Sequence, residues 1–434
     1  MRFGLLTQWF DPEPGPAGLP GVLARGLAAR GHEVRVLTGF PNYPTGRLAP
    51  GYRMSRRRDE HLAGVEVRRV ALYPSHDASA VRRMANYGSF ALSALVSGAG
   101  ALRGLDALWV GNSPVTVALP MWHARHVCRV PVVLHVLDLW PDTLRASGFL
   151  GAGAGTGGRA VERCLHGWCG AMYRSATRVA YISPGVRDVL RGRGVPEDKL
   201  TYIPLWADER PPTPQRDLRA EWGLTDDRVV LVYAGALGEA QGLDALLDAC
   251  ALVRDPRLVC LIAGSGVAED RLRARARSAG LDHVRFLGRV PAERMPAVMA
   301  AGDLHFVSLR DTAMSACTMP SKMQATLAAG RALLVAAPGD AAEVARESGA
   351  GITARPGDPE SIAAGLREAC QLGREKLRLL GQAGRHHYER HFAADLGIRR
   401  VEQELLAAAA GGLRPGAVVG RMTFDRSYFD ATMS

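Results

Sequence analysis

Lysine is almost missing from this chain. Its 434 residues hold only Lys199, Lys322 and Lys376, so the formal charge of +11, from 54 Lys and Arg against 43 Asp and Glu, is carried by arginine. Scattered arginine has two readings: the codon bias of a GC-rich genome, or attraction to phosphates, an acidic membrane surface or nucleic acid. No basic run is interleaved with aromatics and no nucleic-acid module is present, so no nucleic-acid partner is expected. Long Ser, Gln or acidic tracts are also absent, and 47% of the residues are apolar, which excludes disorder as the main state. The seven cysteines are odd in number and too sparse for a disulfide scaffold. Cys164 and Cys169 flank His166, but without a second pair that spacing is no zinc signature. Buried thiols in a reducing compartment are the expectation.

Long hydrophobic runs are lacking too. The longest uncharged stretch, 84–102, is diluted by Asn86, Gly88, Ser89, Ser93, Ser97, Gly98 and Gly100, which is weak for a spanning helix. The opening MRFGLLTQWF enters a strand pattern directly and lacks a signal peptide's apolar core and cleavage site, so a cytoplasmic protein is expected. No GxxxxGK[ST] loop, DxD-like metal site or Ser/His/Asp triad is present, and no His/Cys cluster has metal spacing. Hydrolysis and metal chemistry therefore have no support, and no metal and no cofactor are expected.

What is present is an alternation of short apolar strands and amphipathic helices from end to end. Strands are expected at Phe3–Thr7, Glu33–Thr38, Ala107–Gly111, Val132–Val136, Arg178–Ile182, Val229–Ala234, Leu258–Ala263, Val284–Leu287, Leu304–Val307 and Leu333–Ala336. Continuous apolar strands with helices between them form parallel sheets covered on both faces. One sheet of ten strands would be unusually wide, so the fold class expected is α/β, two doubly wound Rossmann-like domains facing each other across a cleft. The proline cluster at Pro211, Pro212 and Pro214 reads as the linker between them. The boundaries that follow are 1–207, 208–390 and 391–434, the last a helix packing back on the first half plus a tail. In such a pair, ligands bind where the carboxyl ends of the strands face the cleft, a geometry that suits joining two substrates.

Five segments carry chemistry. The loop Phe10–Gly18 follows the first strand, and its glycines, Gly18 at the start of a helix, let a backbone approach an anion; an ordinary turn reads equally well. His135 closes a strand with Asp138 and Asp142 close behind, placed to meet a sugar's hydroxyls, the alternative being a structural histidine. Gly235–Gly242 and Ala263–Gly266 are Gly-rich strand-to-helix loops, each a weak phosphate signal. In Met319-Pro320-Ser321-Lys322, Pro and Ser can open a helix, and a chain that shuns lysine keeps one beside the exposed N–H groups. A phosphate ligand is favoured there over a solvated surface lysine.

In order and spacing these segments resemble glycosyltransferase family 4, retaining enzymes of the GT-B fold, over nearly all of 1–410. The closest branch holds the N-acetyl-L-fucosamine and colanic acid transferases. GHEVRVLTGFPNYPTG (31–46), DLWPDTL (138–144), YISPGVRDVL (181–190), IPLWAD (203–208), YAGALGEAQGLDALLDA (233–249), FLGRVPAERMP (286–296) and LRDTAMSACTMPSKMQATLAAGRALL (309–334) carry the likeness. It implies a metal-independent hexosyl- or N-acetylhexosaminyltransferase of bacterial polysaccharide or glycoconjugate synthesis, with the acceptor in domain 1–207 and a nucleotide diphosphate sugar in 208–390. Pro320, Ser321 and Lys322 fall on the branch's PSK element beside the donor phosphates. Gln241 and Gly242 fall on its AQG loop with Gly235 ahead of it, and Arg289 and Val290 on the segment that meets the nucleobase. His135 falls at the strand end where family members often carry a catalytically important residue near the sugar, and Asp138 belongs to the DLWP element; both are expected to be catalytic, positioning the reacting sugar or polarising its hydroxyls.

The departures are specific. The family's glutamate pair falls near Cys317 and Ala325, and Ala236, Glu239 and Ala316 stand where the branch has Asn, Arg and Arg. The donor then differs, or arginines such as Arg310 replace the lost contacts, or the protein is a catalytically degenerate partner of an active transferase. An epimerase or hydrolase on the same fold is a third option. The acceptor expected is a glycan, a lipid-linked chain or a small molecule. Arg56–Arg58 with Arg82 and Arg83 ahead of 84–102 form a basic and apolar pair of the kind that lies on anionic lipid at the inner membrane face; a core helix with solvated arginines is the alternative.

Overall fold

The computed structural model describes residues 1–75, 79–143, 156–207, 209, 217–291 and 293–412. The proline cluster 211–214 and the tail from residue 413 lie outside them. Two sheets organise the chain. The first runs β3-β4-β2-β1-β5-β6-β7-β8, from β1 (Arg2–Leu6), β2 (Glu33–Gly39), β3 (Arg57–Leu62), β4 (Val65–Val70), β5 (Ala107–Gly111), β6 (Val132–Val136), β7 (Arg178–Tyr181) and β8 (Leu200–Tyr202). The second runs β11-β10-β9-β12-β13-β14, from β9 (Val229–Ala234), β10 (Leu258–Ala263), β11 (Val284–Gly288), β12 (Leu304–Ser308), β13 (Ala332–Ala336) and β14 (Gly351–Thr353). Every pairing is parallel except β3 with β4.

Both faces of each sheet are covered, which is why the central strands are apolar throughout. Along β5, Leu108 and Val110 enter the cluster on one face while Ala107 and Trp109 enter that on the other. The helix Leu19–Ala29 covers the second face through Leu23 and Leu27. Four strands escaped the sequence reading. The β3–β4 hairpin is the instructive case, because an edge strand needs no apolar run when ion pairs line it. Arg68 Nε donates to Asp59 at 2.7 Å, and the wholly buried Arg69 pairs with Glu60 and donates to Asp11 O at 2.5 Å. Arg57 and Arg58 of the expected membrane patch sit on β3 and pair with Asp59 at 3.1 Å and Glu60 at 3.4 Å. The same two carboxylates also hold Arg68 and Arg69, so four arginines share two acids and the hairpin keeps a net positive charge.

The stretch 84–102 is not one helix. It comprises the end of helix Ala80–Ser93, a wide turn at Ala94–Gly98 and a tight one at Ala99–Leu102. Among the described residues no helix is long and apolar enough to cross a membrane. The long helix Pro359–His391 is broken at Gly373 (φ 70°). After it, helix Ala394–Gly412 leaves the second sheet and packs Ile398, Val401 and Leu405 on the first.

Candidate active site

The carboxyl-end loops of the two sheets touch. Ser183, just past β7, donates its hydroxyl to Cys317 O at 2.8 Å, and Gly185 N donates to Asp340 Oδ2 at 2.8 Å, beyond β13. Cys317 belongs to the first half's apolar cluster, with Met314 packed against it. A Cβ on Gly185 would lie 2.5 Å from Cys317 Cβ, so this junction takes only small side chains. Burial and the nearby charge of Asp340 raise the pKa of the Cys317 thiol. Ala325, by contrast, is exposed on helix Ser321–Ala328.

On the second-half side, Pro320 is the N-cap of that helix and Ser321 is exposed at its first turn. Lys322 turns inward. Its Nζ lies 3.8 Å from the centre of the Tyr233 ring, an attraction between a cation and the ring's electron-rich face. Among the described residues it makes no ion pair, and burial pulls its pKa down to about 7. The Tyr233 hydroxyl donates to Ala236 O at 2.5 Å, which fixes the ring beneath the ammonium. Gly235 has to be glycine, because a Cβ there would come 2.6 Å from Lys322 Cε and φ is 148°.

The rest of the Gly-rich loop is shaped by its own polar groups. Gln241 accepts from Gly238 N at 3.1 Å, Ser308 donates to Gln241 O at 2.6 Å, and Gly242 takes the left-handed conformation (φ 58°). Glu239 is bridged by Arg271 and Arg310, each at 2.8 Å, so its charge is neutralised and Arg310 is already engaged. The second glycine loop is structural: a Cβ on Gly264 would stand 1.8 Å from Gly235 O, and one on Gly266 2.4 Å from Leu237 O. Its glycines let two loops lie backbone to backbone, with Gly235 N bonded to Ala263 O at 2.9 Å and Leu237 N to Ser265 O at 3.0 Å. Val290 is half-buried against the β9–β10 core, whereas Arg289 is exposed and close enough to Tyr43 of the first half for its charge to act on that phenol.

The first half contributes a cavity of about 640 Å³ at the ends of β1, β5 and β6. His135 and Asp138 line it. His135 is fully buried, its Nε2–H donating to Ile203 O at 2.9 Å, which leaves Nδ1 as an acceptor without a partner among the described residues. Burial lowers its pKa to about 4, so the ring is neutral. Asp138 accepts from the Ser113 hydroxyl, and burial raises its carboxyl above the usual range. Asn112 holds the strand end, accepting from Leu137 N at 2.7 Å and Asp138 N at 3.1 Å while donating to Asp138 O at 2.7 Å. Asp142 is drawn away to Arg193.

Gly18 stands apart from the other donor-loop residues. Its neighbours Ala17 and Leu19 line the first-half cavity, and a Cβ on it would meet Glu13 O at 2.7 Å. Glu13 itself went unnoticed in the sequence. It is buried and accepts from Phe10 N at 3.0 Å and from Asn42 N and Tyr43 N at 2.8 Å each, tying two cavity loops together, and burial raises its pKa to about 7. Asn112, Ser113 and Tyr233 were missed as well. The first two carried a signal, being polar residues directly after an apolar strand. Among the described residues no group of three or more His, Cys, Asp or Glu could hold a metal ion.

Comparison with known proteins agrees with this layout. Residues 21–206 match the Glycosyl transferase 4-like domain family, and residues 214–387 match the Glycosyl transferases group 1 family. WcaI of Escherichia coli K12, whose name assigns it to colanic acid biosynthesis as a glycosyl transferase, is 28% identical over 375 residues, 84% of this chain and 90% of that protein. Sucrose-phosphate synthase from Thermosynechococcus elongatus superposes with a TM-score of 0.71 at 19% identity, over 94% of this chain and all of that one. HepE of Anabaena, solved in complex with UDP, gives 0.68 at 16% identity, over 94% of this chain and 100% of that one. With a transferase-family match on each half and the two-sheet GT-B architecture joining them, the chain belongs to the GT-B glycosyltransferases and is a glycosyltransferase.

Proposed function

We propose that the protein transfers a sugar, with retention of configuration and without a metal ion, from a nucleotide diphosphate donor held by the second half. The acceptor held by the first half is a glycan, a lipid-linked chain or a small molecule, in bacterial polysaccharide or glycoconjugate synthesis. WcaI's name and HepE's UDP support the class of reaction and of donor. The observation that carries the reading is Lys322, a desolvated cation that makes no ion pair among the described residues, at the head of a helix whose first N–H groups are open to an anion.

In this reading the anomeric carbon–oxygen bond to the diphosphate breaks and its electron pair goes to the phosphate, where Lys322 and the N–H groups of Ser321 and Lys322 stabilise the charge. The acceptor oxygen bonds to the same face of the sugar, and its proton passes to the departing phosphate oxygen. His135 is too weak a base to remove that proton; its bare Nδ1 instead accepts a hydrogen bond and orients a hydroxyl. Asp138 fixes a second one. Gln241 and Gly242 shape the phosphate loop, Arg289 and Val290 flank the base, and Gly18 lets the first loop close on the cleft.

The test is calorimetric titration with UDP, GDP, dTDP and their sugars, with chelator present. One nucleotide should bind saturably, and Lys322→Ala should weaken it about 10- to 150-fold, the worth of one charge-assisted hydrogen bond. Binding that needs added metal would overturn the metal-free donor site. No binding to any nucleotide would make the chain a non-catalytic partner protein.

A further inference from the structure

We propose that Cys250 and Cys260 form a redox site in the second half, where a hydroperoxide converts the two thiols to a disulfide. Cys250 stands on helix Asp244–Leu252 and Cys260 on β10, and both side chains enter one apolar cluster, 1% and 0% exposed. The chain turns from that helix straight into the strand through the short connection 253–257. His283 joins them just ahead of β11, its carbonyl accepting from Cys260 N at 2.9 Å. The Cys250 sulfur meets both the Cys260 thiol and the His283 ring. The ring's Nε2 makes no hydrogen bond among the described residues, so no structural bond holds that atom. His283 is half-buried beside exposed Asp282, which gives a small oxidant an approach from solvent.

This grouping sets Cys250 apart from other thiols of the chain. Burial pushes Cys169 and Cys370 up to about 11, the behaviour of thiols that pack and do not react. At Cys250 the neighbours outweigh burial. The Cys260 thiol and the His283 ring favour its thiolate and pull it from the ordinary 9.0 to about 6. Cys260 moves up as the donor of the pair, and His283 is drawn towards its charged form. A nucleophile, a resolving thiol and an acid are thus assembled. The Cys250 thiolate attacks an oxygen of hydrogen peroxide, the O–O bond breaks, and the departing hydroxide takes the His283 proton. A sulfenic acid and one water result. The Cys260 sulfur then attacks the sulfenic sulfur, and its proton leaves with the hydroxyl as a second water. Two electrons pass from the thiols to one peroxide. A reducing dithiol restores both thiols by exchange, so the bond lasts only while oxidant is present.

The full reduced chain is treated with hydrogen peroxide, with and without dimedone, and followed by intact mass and non-reducing peptide maps. The expected product has lost two hydrogen atoms, carries a Cys250–Cys260 bond and returns to the thiols with dithiothreitol. Cys260→Ser should stop at a Cys250 sulfenic acid trapped by dimedone, and Cys250→Ser should abolish the bond. Cys164→Ser, at an exposed thiol, should leave it unchanged. The wild-type rate should be half-maximal near pH 6, where the thiolate forms. His283→Asn should move that midpoint up by about one unit. Lys322→Ala should oxidise like the wild type, since the site is independent of donor binding. Thermal midpoints establish that each variant is folded. Reaction confined to Cys128 and Cys164, a bond to Cys370, or oxidation that requires urea overturns the site. An unchanged midpoint in His283→Asn overturns the part given to the histidine.

Discussion

On the proposed reading, Lys322 couples donor binding to pH. Its pKa is pulled from the ordinary 10.5 to about 7, so between those values folding expels a proton and stability rises with pH. Donor binding runs the other way, because a diphosphate favours the charged amine. Affinity should be flat below about pH 7 and fall by up to tenfold per pH unit above it. Lys322→Met keeps the stem over Tyr233 and removes the charge. It should abolish that slope in calorimetry and raise the thermal midpoint at neutral pH, since a desolvated charge is lost. A steep slope surviving in the variant would place the titrating group elsewhere. His135→Ala should cut kcat more than it weakens donor affinity, as measured by initial rates against titration. Lys322 was legible in the sequence because the chain avoids lysine. Tyr233 was not, since a tyrosine ending an apolar strand reads as core until the fold brings an ammonium over its face.

At the level of elements, the cavity loops depend on Glu13. Its pKa is raised from 4.5 to about 7, so the folded chain takes up a proton in that window and stability falls as pH rises through it. Above about pH 7 the carboxylate still holds three backbone N–H groups. Glu13→Gln turns one accepting oxygen into a donor that faces a backbone N–H. Leaving buried donors unmatched costs about 1–3 kcal/mol. Urea unfolding should show that loss, and hydrogen exchange at Asn42 and Tyr43 should speed up; unchanged exchange would mean the loops are held by other contacts. The acceptor KM should rise more than the donor's, because Tyr43 lines the cavity. Sequence signals for loops were uneven for a physical reason. Glycine in Ala263–Gly266 looked like a phosphate cradle but answers a steric demand of the Gly235 loop, a contact between segments far apart in sequence. The β3–β4 hairpin hid because β3 is largely charged and β4 intersperses its buried valines, Val65, Val67 and Val70, with charged residues instead of forming a continuous apolar run.

For the whole molecule, the alternation of strands and helices was enough to read two parallel sheets, but the interface between the halves was out of reach because single contacts such as Ser183 with Cys317 build it. One helix also crosses that interface. Ala394–Gly412 begins in the second half, anchored where Glu209 accepts from Ala394 N at 2.9 Å and from the Tyr388 hydroxyl at 2.6 Å, and ends on the first sheet. Ile398, Val401 and Leu405 are nearly fully buried there. At about 1.5–3 kcal/mol for each such side chain, the contact approaches the stability of a whole domain. The helix is therefore expected to make the halves unfold together, so that the nucleotide proposed for the second half would stabilise both, by about 2.7 kcal/mol at a hundredfold excess over its Kd. Val401→Asp buries an unpaired carboxylate in that contact, while Leu406→Asp places one on the exposed side. Scanning calorimetry of the wild type and of Leu406→Asp should show one transition that moves up with nucleotide. In Val401→Asp it should split, the lower transition ceasing to respond to nucleotide and the upper one still shifting. A single responsive transition in Val401→Asp would show that the cleft contacts alone couple the halves.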